Sequence, residues 1–263
     1  MNVARIRMLA LASFLLIALA LIPTSTTATH SWGGYHWART SNPFTLSVGD
    51  NLSSTWKPHL KTSIADWSKS TVLDLVAVPG GANKRCSATA GRIEVCNNTY
   101  GKNGWLGLAQ IWLSNGHISQ GTAKMNDTYF NTAPYNNSAE RNHVMCQEVG
   151  HTFGLGHQDE SGAALGTCMD YSSDAGSQHP NTHDYDMLKS IYSHVDSSAA
   201  APSADDTNVG KDIDLNNPKE WGQAVKEDHA HGGKPSLYVR DFGNGRKIYT
   251  FVVWATDADT ETK

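Results

Sequence analysis

Several things are scarce in this 263-residue chain, and each scarcity narrows its role. Charged residues make up only 17% of it, and no run of lysine or arginine is long enough to follow a phosphate backbone. Nucleic acid is therefore excluded as an expected partner. The four cysteines include no C-x-x-C pair, which argues against a cysteine-only metal cluster. One apolar run stands out, Met8 to Ile22. It is shorter than the roughly 20 residues that a bilayer-spanning helix takes. No cysteine directly follows that run, so a lipid anchor is not indicated, and no internal repeat occurs.

What is present begins with an export signal. Arg5 and Arg7 precede the apolar run, Pro23 breaks it, and Thr26-Thr27-Ala28 offers small residues for cleavage. Residues 1–28 are expected to be a signal peptide, with the mature chain starting near Thr29 or His30. A secreted, extracellular protein follows, with no membrane association after cleavage. Export permits disulfides. Of the three pairings on paper, Cys86–Cys96 closes a short loop and Cys146–Cys168 ties a helix to a later turn, and these two are favoured.

Hydrophobic spacing sets out the elements. Phe44 to Val48 alternates as a strand. Trp56, Leu60, Ile64 and Trp67 recur at helical spacing over about four turns, with Asp50 to Ser54 available as caps. Strands are predicted at Leu73 to Val78, Arg92 to Cys96 and Leu108 to Leu113. Asn115-Gly116 then signals a hairpin into His117 to Met125. Helices are predicted over Glu140 to Phe153 and Thr182 to His194. The expected organisation is a main domain over 29–196, a linker over 197–210 that is rich in Ala, Ser, Pro and Asp, and a small β-hairpin extension over 211–263.

The chemistry concentrates at Gln147-Glu148-x-x-His151-x-x-Gly154-x-x-His157. Residues 147 and 151 are four apart, so on a helix they share a face and can hold one metal ion. Glu148 is rotated about 100° from Gln147, where a carboxylate reaches a water without ligating the metal. Gly154 can end the helix and turn the chain, letting His157 approach from another direction. Three donors plus a water make an open site of catalytic type.

This stretch resembles the zinc signature of the metzincins, H-E-x-x-H-x-x-G-x-x-H, and is closest to the matrixin version. Cys168-Met169-Asp170-Tyr171 looks like the family's Met-turn. The resemblance runs roughly from Pro43 to Val195. It implies an α+β fold: a twisted, mainly parallel mixed sheet, an active-site helix, a Met-turn and a C-terminal helix, here followed by a small β-rich tail. It also implies a secreted zinc endopeptidase acting on protein or peptide substrates: Zn²⁺ on Gln147, His151 and His157, Glu148 as general base, and Tyr171 near the oxyanion. A monomer is expected. An extended substrate would pair with the strand His117 to Met125 at the sheet edge.

The family's first histidine is Gln147 in this chain, and an amide oxygen is a weaker zinc donor than imidazole. Three readings stay open: Gln147 ligates in a divergent site, the domain binds without cutting, or another residue completes the set. His143 shares the face, but it lies two turns from His151, about 12 Å of helix rise. The main alternative to an enzyme is thus a catalytically degenerate extracellular binding module with weak or no metal.

Overall fold

The computed structural model of the chain describes residues 30–199, 208–227 and 233–255. The expected signal peptide, most of the 197–210 linker and the last eight residues lie outside the described residues. The chain forms a mixed sheet with few helices. In chain order its elements are β1 (His36–Trp37), β2 (Phe44–Asn51), α1 (Lys57–Trp67), β3 (Leu73–Pro79), β4 (Ile93–Asn98), β5 (Trp105–Ser114) and β6 (His117–Asn126). Then follow α2 (Asp127–Phe130), α3 (Ser138–His151), α4 (Thr182–Ile191), a 3₁₀ turn at Pro218–Glu220, β7 (Gln223–Glu227), β8 (Pro235–Asp241) and β9 (Arg246–Trp254).

The sheet runs β3-β2-β4-β6-β5-β9-β8-β7, with β1 pairing alongside the start of β6. Pairing is parallel from β3 to β6 and antiparallel from β6 to β7. The turn between β5 and β6 is Asn115-Gly116, both with positive φ (51° and 87°), which is what a two-residue hairpin of matching twist needs. The expected pairing of cysteines is found, Cys86 with Cys96 and Cys146 with Cys168.

Two expectations change. Helix α1 spans 11 residues, nearer three turns than four, and its N-cap Trp56 makes no side-chain cap bond. Asp50 instead accepts from Leu52 N and Lys57 Nζ. Pro58 in the first turn has no N–H to satisfy, which lowers the need for a cap. The second change concerns β6, which is not an edge strand: β4 and β5 flank it. Nor is β5 an edge, because β9 pairs with it from Trp105↔Trp254 to Ser114↔Arg246. The strand predicted to receive an extended substrate has no free backbone ladder.

Period-two alternation explains how the last strand fits. Tyr249, Phe251 and Val253 of β9 join the main core under α1 and α3, together with Leu106, Ala109 and Ile111 of β5. Val252 and Trp254 face the other way and pack with Trp105, Leu108 and Trp221. A third cluster on that side joins Trp112, Ile248 and Leu215. β5 is apolar in both phases because both of its faces are covered.

Candidate metal centre

Helix α3 carries the first half of the site. Its N-cap Asn137 accepts from Glu140 N, and its last turn delivers Gln147, Glu148 and His151, all completely buried. Gly154 then takes φ +97°, and a Cβ there would lie 2.1 Å from the Tyr35 carbonyl oxygen. Only glycine suits both the turn and that close approach. The turn brings His157 back so that its Nε2 lies 2.9 Å from His151 Nε2, the rings perpendicular.

The outer nitrogens explain the orientation. His151 Nδ1 donates to Leu155 O at 2.8 Å, and His157 Nδ1 faces Glu160 Oε1 at 3.1 Å. With each Nδ1 used as a donor, each neutral ring turns an Nε2 lone pair inward. Two lone pairs this close repel each other unless a proton or a metal ion is held between them, so the pair can serve as metal donors. Burial, with His157 beside it, holds His151 well below the usual imidazole pKa and therefore neutral, the form that ligates.

Gln147 shares this face of α3. Its Nε2 donates to Asp170 O at 3.0 Å, while its Oε1 is buried without a hydrogen-bond partner. The amide is thereby fixed with its acceptor end left over, which fits a weak oxygen donor to a metal. His143 instead bonds Asp170 O through Nε2 at 3.0 Å, so one carbonyl holds both side chains. Both Glu148 oxygens are likewise buried and unpartnered. They lie against Gly107 of β5, where any side chain would collide with Oε1. Burial pushes the Glu148 carboxyl well above the usual carboxylate range.

The loop after the helix closes the site from below. Met169 is fully buried; its carbonyl accepts from Gln158 N at 2.6 Å and its own N–H donates to Thr167 Oγ1 at 3.0 Å. Tyr171 packs its ring 4.2 Å from that of His157. From above, Phe251 of β9 stacks on His151 at 4.3 Å with the rings nearly parallel. Val253 and Trp254 help wall a cavity of about 30 Å³ shared with His143, Gln147 and Tyr171, large enough for a water and too small for a peptide side chain.

The structure thus brings together His151, His157 and Tyr171, with Gln147 and Glu148 one turn earlier on the same helix. Sequence reasoning missed Glu160 and Phe251. Glu160 was open to detection as a carboxylate three residues past His157. Phe251 carried no local signal, since its contact spans 100 residues.

No family model and no curated protein matches the chain. Among solved structures the chain is similar to High choriolytic enzyme 1, a hatching enzyme zinc-protease from Oryzias latipes (medaka fish), with a TM-score of 0.35 and 11% sequence identity. That match covers 62% of this chain and 96% of the other.

Proposed function

We propose that the chain is a secreted zinc-dependent endopeptidase of metzincin type, with Gln147, His151 and His157 as the metal donors. The observation that supports this most directly is the pair of imidazoles meeting through Nε2 while both Nδ1 atoms are engaged elsewhere. A zinc ion in such a donor set supplies Lewis acidity toward a carbonyl and makes a coordinated water more acidic.

The chain's own residues do the rest. Glu148 is the general base: a dry carboxyl, raised above its ordinary pKa, takes a proton from water more readily at neutral pH and can hand it to the leaving amine. Leu155 and Glu160 hold the two rings in one tautomer. Asp170 fixes the amide of Gln147. Tyr171, packed on His157, would steady a developing oxyanion. Glu148 has no exposed surface, so a peptide reaches it only after Phe251, Val253 and Trp254 move aside.

The test is hydrolysis of an unstructured protein such as casein by the mature chain. Glu148→Gln should lower the rate by roughly 10²–10⁴-fold at unchanged zinc content. Undiminished hydrolysis by that variant would sink the assignment. A second reading, a metzincin-like module that binds without cutting, is favoured by Gln147 and by the coverage of the site by β9. Zinc-loaded protein that never hydrolyses the substrate, with or without β7–β9, would put that reading first.

A further inference from the structure

A second set of metal-type donors lies away from α3, where three histidines surround one carboxylate. His36 Nε2, His117 Nε2 and His194 Nε2 lie 3.5, 3.2 and 3.6 Å from Asp196 Oδ1. The ligand atoms of His36, His194 and Asp196 all fall within 4.8 Å of one another. The His36 ring stands edge-on to those of His117 and His194, at 4.9 and 4.7 Å.

The fold gathers these groups from three distant places. β1 pairs with β6 in parallel, and the register sets His36 directly beside His117. The chain leaving α4 brings His194 and Asp196 alongside, held there by Asp196 N donating to Arg39 O at 2.8 Å. Arg39 also grips the far carboxylate oxygen, Oδ2, through its backbone N and Nη1, each at 3.1 Å. Oδ1 is therefore turned toward the histidines. His36 donates Nδ1 to Gly34 O at 2.9 Å, so a neutral His36 presents an Nε2 lone pair to Oδ1. Acceptor facing acceptor calls for a cation or a proton between them.

Two of these separations also suit hydrogen bonds, and all three suit a metal ion. Donors roughly 2.0–2.1 Å from a tetrahedral zinc ion lie about 3.4 Å apart, and the three separations from Oδ1 bracket that value. Imidazoles with one carboxylate are also a donor set suited to zinc rather than to calcium or magnesium. The ring orientations agree, since edge-on imidazoles can direct separate lone pairs at one centre.

We propose that His36, His194 and Asp196, with His117 beside the carboxylate, form a second divalent-metal site, of zinc type, separate from the centre on α3. The ion would tie the N-terminal strand, the start of β6 and the segment after α4 together at one point. Bridging these segments, its role is to hold structure. His117 and His194 are partly exposed, 33% and 55%, so the ion can enter from solvent.

The experiment is zinc titration of the chelator-stripped mature chain against a chromophoric competitor. It compares wild type with the double variant His117→Ala/His194→Ala. The variant should lose one equivalent, or bind it more weakly by at least roughly 100-fold, and should lose the zinc-dependent part of the melting temperature. The difference between the two proteins does not depend on what the Gln147 centre binds, so each assignment can fail without the other. Equal stoichiometry and equal affinity in both proteins would overturn the site. If the double variant misfolds by circular dichroism, His194→Ala alone, at the most exposed donor, gives the same comparison.

Discussion

The two histidine clusters use the same donor types and differ in what surrounds them. His151 and His157 are sealed between α3, the loop through Met169 and the strand β9. His36, His117 and His194 sit on the rim, where solvent reaches at least two of the rings. In the sealed cluster the protein supplies partners for the outer nitrogens, and the leftover acceptors, Gln147 Oε1 and both oxygens of Glu148, stay unpaired. Unpaired buried acceptors cost stability, so they mark the place where a ligand would give something back. At the rim, one carboxylate organises three rings without being sealed away. Burial thus leaves unpaired acceptors in one cluster, and convergence on a single carboxylate organises the other.

The contrast can be broken from its strongest side first. Phe251 is the wall that makes the α3 centre dry. Phe251→Ala should lower the unfolding free energy by about 3–5 kcal/mol, read as a fall in the urea midpoint, while the rim cluster keeps its zinc. A loss well under 1 kcal/mol would mean that β9 is not packed on the site in solution.

A smaller effect is expected from restoring the imidazole. Gln147→His should raise zinc affinity at the α3 centre by about 10–100-fold and leave the rim cluster unchanged, as followed by chelator competition. Unaltered affinity would remove Gln147 from the donor set.

The smallest effect isolates burial from metal chemistry altogether. Lys124 is 2% exposed and donates Nζ to Gln110 Oε1 and Asn216 Oδ1, each at 2.9 Å. Burial pulls its pKa down to about 7, only partly countered by Asp214. The folded protein releases this proton near pH 7, whereas the unfolded chain keeps it to about pH 10.4. Between those values the unfolded state binds more protons, so stability rises with pH, by at most about 1.4 kcal/mol per unit. Wild type should therefore gain up to about 1 kcal/mol between pH 7.5 and 8.5 relative to Lys124→Met. Parallel pH profiles would show that the amine is hydrated in solution.

Much of the α3 centre was legible because its signals are local. Four-residue spacing puts Gln147 and His151 on one face, Gly154 announces the turn, and Asn115-Gly116 announces the hairpin. The disulfides follow the same logic, closing loops of 10 and 22 residues. The β9 pairing was not legible. Its partner on β5 lies more than 130 residues earlier, and backbone hydrogen bonds carry no sequence code of their own. One clue was present in β5, whose apolar residues occupy both phases from Trp105 to Leu113. A strand that is apolar on both faces is seldom an edge. The rim cluster left only His194-x-Asp196 as a trace, since His36 and His117 arrive through strand register and tertiary packing.

The lid on the α3 centre is a segment of the same polypeptide, and that sets the terms on which anything else can use the β5 edge. A tethered strand is present at its site at an effective concentration that dilution cannot lower. An extended peptide seeking that edge binds only the fraction of molecules in which the strand is released. If that fraction is about 1%, its apparent affinity falls by about 100-fold. Mixing in more protein or more solvent changes nothing in that ratio. Severing the tether changes it at once, because the strand then becomes an ordinary competitor whose hold weakens with every dilution.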